Sequence, residues 1–256
     1  MTAPDILICS GLDPSGGAGF LVDARVAHLL GGRPVGVITA QTVQSTTGMR
    51  SSHDVEREVF GEQLNALLTD VEVKAVKVGL LGSPGIVEEL GQQLALTAAP
   101  LVWDPIAGPT RGDARHGKEL LAFALRELGR HLTLITPNVG ELALLTGGVV
   151  TTLAEATASA RALADFAKVA VLLKGGHLGT EHSVDVLCHA GVVEELVAPR
   201  IVGEDVHGTG CALSSAIATH LALGAPLVDA CRLAKQFVAE RIANPVRPGR
   251  GAPAIL

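Results

Sequence analysis

The sequence predicts an α/β protein of one domain, with a mostly parallel sheet covered by helices on both faces and a small antiparallel hairpin at one sheet edge. Three observations carry that expectation. Short apolar runs alternate with longer helical patterns, as in successive βαβ units. The runs are apolar at nearly every position, as strands buried on both faces are. The chain has 256 residues, of which 48% are hydrophobic and 18% charged. That is enough to bury one large core without disulfides or metals, so residues 1–256 are read as a single domain.

The expected strands, in order, are ILICS (6–10), VGVIT (35–39), VKAVKV (73–78), LVWD (101–104), LTLIT (132–136) and VAVLLK (169–174). Helical periodicity falls between them, near 18–31, 55–69, 84–97, 117–129, 152–167, 211–223 and 226–243. The segment 184–202 breaks the alternation. It places HAG between two β-rich runs, which predicts the antiparallel edge hairpin. The tail NPVRPGRGAPAIL is rich in Pro and Gly, either a packed loop or a loose end.

Composition narrows the function. Aromatic residues make up 2% of the chain, there is no Tyr, and the net charge is −6. A nucleic-acid reader needs a basic face and stacking rings, so that class is not expected. No apolar run reaches the roughly 20 residues that span a bilayer, and no membrane partner is expected. The four cysteines, Cys9, Cys188, Cys211 and Cys231, form neither a C-x-x-C pair nor a zinc pattern. The start MTAPDILICS lacks a basic n-region and a signal-length apolar segment. Free thiols in a reducing cytoplasm are the expectation.

In open α/β sheets ligands sit beyond the carboxyl ends of the strands. The residues there are GLDPSGGAG, AQTVQSTTG, GLLGSPG, DPIAGPTRG, PNVGE and GGH, an accumulation of glycines and polar groups at one edge. The stretch VHGTGCALSSAIA (206–218) adds a Gly-Thr-Gly turn that opens a helix with an apolar face of Leu213, Ala216, Ile217 and Leu221. A helix N-terminus after a glycine turn favours an anion such as phosphate. The competing reading is a plain tight turn with a buried cysteine. The same dipole predicts a Cys211 pKa lowered from about 8.5 towards about 7.5. A nucleophile elbow is absent, since Thr209 and Leu213 occupy its glycine positions, so Cys211 is expected to accept a proton or position a group. GDARHGKE (112–119) nearly matches a phosphate loop, but Glu119 replaces the Ser/Thr that would bind magnesium. It is read as a surface loop entering a helix.

Several motifs, in order, resemble one family. SGLDPSGGAG is similar to A-G-[ST]-D-P-[ST]-G-G-A-G, and VITAQTVQSTTG to V-I-T-A-x-x-x-Q-N-T-x-G. VKVGLLGS, WDPI and LITPNVGEL resemble K-x-G-M-L, D-P-V and L-I-T-P-N-x-x-E-A. VLLKGGH and HGTGCALSSAIA resemble K-G-G-H and H-G-T-G-C-T-L-S-x-A. The family is the hydroxymethylpyrimidine/phosphomethylpyrimidine kinases of thiamin biosynthesis, in the ribokinase-like superfamily. The likeness runs from about residue 5 to 243.

The resemblance implies a three-layer α/β/α fold. It also implies ATP- and Mg2+-dependent phosphorylation of 4-amino-5-hydroxymethyl-2-methylpyrimidine, then of its monophosphate. By matched position, Cys211 would act on the substrate hydroxyl, where most ribokinase relatives carry Asp. Gly208, Gly210 and Cys211 would offer backbone N–H groups to the transferring phosphoryl. Lys174 would sit at the ATP phosphates with Asn138 and Thr209, and His207 would either touch phosphate or shape the turn. Asp104, Glu141 and Asn138 would hold magnesium, largely through water, although TPN also reads as an ordinary helix start. Gln44 would read the pyrimidine edge, and Asp13, Gly11, Ala18 and Asp23 would line the same pocket. Similar proteins are often homodimers, and the hairpin near 184–202 would be a contact.

The chain departs from the pattern at Ala107, Pro109 and Arg111 in IAGPTRG, at Ser45, and at Leu80, and the tail GRGAP matches G-x-G-P only loosely. These changes touch substrate identity and the second phosphorylation more than the fold. Pyridoxal kinase activity is therefore the nearest alternative. A cysteine-dependent hydrolase and a non-catalytic binding protein are the others.

Overall fold

The computed structural model describes residues 2–107, 114–176 and 182–256. The chain order is β1 (Asp5–Leu12), α1 (Gly19–Leu29), β2 (Arg33–Ser45), β3 (Gly48–Asp54), α2 (Arg57–Asp70), β4 (Val73–Val78), α3 (Pro84–Gln93), β5 (Leu101–Trp103), α4 (Ala114–Leu128), β6 (Leu132–Ile135), α5 (Val139–Thr146), α6 (Leu153–Ala167), β7 (Ala170–Leu173), β8 (His182–His189), β9 (Val192–Pro199), α7 (Thr209–Ala222) and α8 (Leu227–Ala243). The strands form one sheet in the order β3-β2-β1-β4-β5-β6-β7-β8-β9. The six strands from β2 to β7 run parallel, and antiparallel pairings extend the sheet at both ends, with β3 beyond β2 and with β8 and β9 beyond β7.

Strand alternation sorts the core into two faces. Ile6, Ala75, Val102, Leu134 and Leu172 point to α1, α7 and α8, where they meet Val22, Val26, Ile217 and Phe237. Leu7, Cys9, Val76, Val78 and Trp103 point the other way, against Phe60 and Leu64 of α2, Ile86 and Leu90 of α3, and Ala124 of α4. A third cluster packs α5 and α6 on β7 and β8 through Leu142, Ala160, Leu163, Val171 and Val186. This is the three-layer α/β/α arrangement expected.

Two differences from the sequence reading bear on the site. AQTVQSTTG is not a loop: β2 continues through it and turns at Thr46 and Thr47 into β3, a second antiparallel edge. Gln44 therefore stands on an extended strand, paired with Met49. The segment after Pro137 is also helical. Asn138 caps α5 by accepting the Glu141 N–H at 2.8 Å, and Glu141 accepts the Asn138 N–H at 2.7 Å. That reciprocal box satisfies two otherwise orphaned donors.

The tail is packed. Pro253, Ala254 and Ile255 are buried. The His207 N–H donates to the Pro253 carbonyl at 2.8 Å, the Ile255 N–H to the His207 carbonyl at 3.0 Å, and the Ala252 N–H to the Thr46 carbonyl at 3.1 Å. The C-terminus thus straps the β2–β3 turn to the loop before α7. Pro109, Arg111, Gly112 and His177 lie outside the described residues. The GDARHGKE stretch enters α4, so Lys118 and Glu119 are helical.

Candidate active site

The expected site residues other than Asp23 lie at the carboxyl edge of the sheet or on the helix starts that face it. Gly11 is the last residue but one of β1, Asp13 follows the strand, and Ala18 caps α1. Asp104 follows β5, Asn138 and Glu141 open α5, and Lys174 follows β7. His207 and Gly208 lead into α7, whose first three residues are Thr209, Gly210 and Cys211.

The first α7 amide to reach a carbonyl is that of Ala212, bonded to the Gly208 oxygen at 2.9 Å. The amides of Thr209, Gly210 and Cys211 precede it and have no intrahelical acceptor. Gly208 must adopt φ +84°, and a Cβ there would lie 2.2 Å from the Gly17 carbonyl oxygen. Only glycine fits both demands. The two glycine-rich loops, GGAG and HGTG, therefore meet backbone to backbone.

On one side of this helix start is a charge cluster. The Lys174 ammonium lies 2.7 Å from Asp104 and 3.5 Å from Glu141. A Cβ on Gly210 would lie 3.2 Å from the same nitrogen, so the lysine stands beside the first turn of α7. Burial disfavours the Lys174 charge, but Asp104 and Glu141 outweigh it and hold its pKa above that of a free lysine. Burial pushes the Glu141 carboxyl up, with Lys174 opposing.

On the other side is a hydrogen-bonded trio. Gln44 donates from Nε2 to Asp13 at 3.1 Å, and the same nitrogen lies 3.0 Å from His207 Nε2, which is 3.5 Å from Asp13. Asp13 also accepts from the Ser15 amide and hydroxyl at 2.9 and 2.7 Å. Burial raises the Asp13 pKa, but the bonds from His207 and Ser15 prevail and hold it below the usual value. Leu80 packs on Gly11, whose Cβ would lie 3.0 Å from a Leu80 methyl. The Ser45 hydroxyl bonds Thr47 at 2.9 Å rather than turning towards Gln44.

Two expectations need correction. Asp23 does not line the pocket. It is fully buried beneath it, with one oxygen 2.6 Å from the Lys77 ammonium and the other 2.7 Å from the Ser215 hydroxyl of α7. Cys211 is not acidified. Burial raises its thiol to about 12, Lys77 pulls against that, and Asp23 and Asp104 add to it. A helix dipole acts strongly on an exposed sulfur, but here the cost of a desolvated thiolate is larger. A backbone N–H from Gly19 reaches the sulfur and favours its charged form.

Sequence reasoning missed Lys77. Its signal was visible in VKAVKV. A lysine inside a run buried on both faces must find a carboxylate, and strand parity points Lys77 at α1 and α7 as it does Ala75.

The described residues hold no group of three or more His, Cys, Asp or Glu able to bind a metal by themselves. Asp104 and Glu141 nonetheless suit magnesium, which in kinases is held by one or two carboxylates together with phosphate oxygens and water. Asn138 suits it less, because its side-chain oxygen is engaged in the helix cap.

The model of the phosphomethylpyrimidine kinase family matches residues 13–255. This chain belongs to that family. It is 36% identical to the hydroxymethylpyrimidine/phosphomethylpyrimidine kinase of Rhizobium meliloti (strain 1021), over 93% of this chain and 90% of that protein. It is 40% identical to a chloroplastic thiamine biosynthetic bifunctional enzyme of Arabidopsis thaliana, over 92% of this chain. It spans only 46% of that protein's length, and 44% of a similar one from Oryza sativa. Among solved structures, the Staphylococcus aureus pyridoxal kinase with AMP-PCP superposes with TM-score 0.89 at 25% identity, covering 99% of this chain and 93% of that one. The phosphomethylpyrimidine kinase of Clostridium difficile 630 superposes with TM-score 0.78 at 30% identity, covering 94% and 99%. Family membership and these superpositions give the chain the ribokinase-like fold.

Proposed function

We propose that the chain transfers the γ-phosphoryl of ATP to the hydroxymethyl oxygen of 4-amino-5-hydroxymethyl-2-methylpyrimidine, and then phosphorylates the monophosphate to the diphosphate. The observation that carries this is the α7 N-terminus, flanked by the Lys174 charge cluster on one side and the Asp13–Gln44–His207 trio on the other. An acceptor and a phosphate donor can meet there.

In the first step a bond forms between the acceptor oxygen and phosphorus, the bridging bond to ADP breaks, and the hydroxyl proton leaves. The transition state is loose, so most catalysis comes from positioning and charge stabilisation. The Thr209, Gly210 and Cys211 amides face the developing charge, with Lys174 beside them. Asp13 and Gln44 offer an acceptor and a carboxamide edge to an aminopyrimidine ring. Cys211 can receive the hydroxyl proton only as the thiolate, after the thiol has given its own proton to solvent; burial disfavours that charged sulfur, while the Gly19 N–H and Lys77 support it. Magnesium held by Asp104 and Glu141 would neutralise charge on the phosphate oxygens when bound. The second step attacks with a phosphate oxygen and needs no base.

A pyridoxal-type ring is the second reading, favoured by the pyridoxal kinase superposition and by Ala107 and Ser45. Mg-ATP incubated separately with hydroxymethylpyrimidine, its monophosphate and pyridoxal distinguishes them by product mass. Product from both pyrimidines is the expected outcome. Product from pyridoxal alone would overturn it. The same proposal includes a homodimer through the β8–β9 edge, where Val192 and Val197 are exposed, and a reducing cytoplasm suited to four free thiols. Sedimentation checks the first and fractionation the second.

A further inference from the structure

A second buried lysine–carboxylate pair lies behind the phosphate side of the site. Lys235 of α8 reaches Asp185 of β8 at 2.7 Å and stands 3.4 Å from the Ser183 hydroxyl. Both side chains are about nine-tenths buried, at 9% and 10% exposure. Such a pair adds little net stability over apolar residues of similar volume, because desolvation offsets the attraction. Its geometry shows another use. The second Asp185 oxygen accepts the Gly175 N–H at 3.1 Å.

Gly175 follows Lys174 directly. The β7–β8 ladder ends with Leu173 opposite Val186, so the next residues across would be Lys174 and Asp185. In place of that backbone pairing, the Asp185 side chain accepts the Gly175 N–H and holds the chain there. A Cβ on Gly175 would lie 2.2 Å from the Val184 carbonyl oxygen, so only glycine allows this approach. The neighbouring groups are held as well. The Lys174 N–H donates to the Pro137 carbonyl at 2.8 Å, and Arg200 donates to the Gly176 carbonyl at 2.7 Å. The backbone on both sides of Lys174 is therefore fixed, and this aims its ammonium at Asp104 and Glu141.

We propose that Asp185, itself held by Lys235, is a positioning residue for Lys174, and through it sets the affinity for ATP rather than for the acceptor. This rests on the reading of Lys174 as the cation at the ATP phosphates. Misplacing a charged group by about 1 Å can cost up to about 100-fold.

Two charge-neutral double variants isolate the hydrogen bond. D185N/K235M keeps an acceptor for the Gly175 N–H, whereas D185L/K235M removes it, and neither leaves a buried unpaired charge. The readouts are KM for ATP, KM for hydroxymethylpyrimidine, and ATP Kd by calorimetry. D185L/K235M is expected to raise KM and Kd for ATP about tenfold, the equivalent of about 1.4 kcal/mol, with the acceptor KM within about twofold. D185N/K235M is expected to recover most of the loss. Equal ATP affinity in the two variants would overturn the proposal, as would a parallel rise of both KM values. Lys174→Ala separates the two levels. If it weakens ATP binding while the double variants do not differ, positioning alone fails. If it leaves ATP binding unchanged, the reading of Lys174 fails and takes the positioning role with it. Failure of D185L/K235M to fold while D185N/K235M folds would mean that Asp185 serves the fold, and that too overturns the proposal.

Discussion

Gly208 and Gly17 stand back to back: the position a Cβ would take on Gly208 is 2.2 Å from the Gly17 carbonyl oxygen. This contact joins the loop after Asp13 to the loop that opens α7. Gly208→Ala must open that contact and also place a side chain at φ +84°. The αL strain alone costs about 1–2 kcal/mol, and the clash adds to it. The expected result is a lower thermal midpoint and a fall in kcat/KM of about 100-fold or more. Retained activity would show that the two loops need not touch.

Cys211→Ala separates the two phosphorylations. Positioned base catalysis contributes roughly 10²–10⁴-fold, so kcat with hydroxymethylpyrimidine should fall by that order. The monophosphate needs no base and should lose much less. Parallel loss in both reactions would assign Cys211 to shaping the helix start.

The native protein should lack a fast-reacting thiol. All four cysteines are buried, and burial raises Cys9, Cys211 and Cys231 to about 12. Alkylation by iodoacetamide near neutral pH should be slow until denaturant is added, when all four react. Rapid modification of Cys211 in the folded protein would contradict the raised thiol.

Asp23 and Lys77 form a fully buried pair at 2.6 Å. Asp23→Ala strands the ammonium, at a cost of about 3–5 kcal/mol. Asp23→Leu combined with Lys77→Met should recover most of that in denaturant unfolding, although activity need not return. Equal destabilisation by the single and double variants would mean that packing, not charge, is lost.

Asp13 links stability to acid. Its folded pKa is lowered, because the His207 and Ser15 bonds outweigh burial. Its contribution is present in full above the unfolded carboxylate value of about 3.9. It is lost as pH falls through the lower, folded value. Wild type should exceed Asp13→Asn in thermal midpoint near neutrality, and the two curves should converge below about pH 4. A constant gap at all pH values would exclude the linkage.

Much of this was legible in the sequence, for reasons that are local. The runs 6–10 and 73–78 lie within β1 and β4, and the first three residues of 101–104 form β5. The β2–β3 hairpin was not legible. Ala40 and Thr42 are buried while Gln41 and Val43 are exposed, so the inward face of β2 is small and polar, and GMRSSHD carries no apolar pattern. Helix α5 has eight residues, too few for a periodic signal, although its cap residues Asn138 and Glu141 were noticed as such.

The sequence by itself determined the fold class, the family and the edge of the sheet where the chemistry sits, because glycine turns, helix starts and strand parity are properties of neighbouring residues. The tertiary structure decided what each charged group does. It put Asp23 under the pocket rather than in it, gave Lys77 a partner 54 positions away, and left the Cys211 thiol protonated. Burial and ion pairing depend on residues brought together by packing, and no local pattern encodes the dielectric in which a side chain ends up.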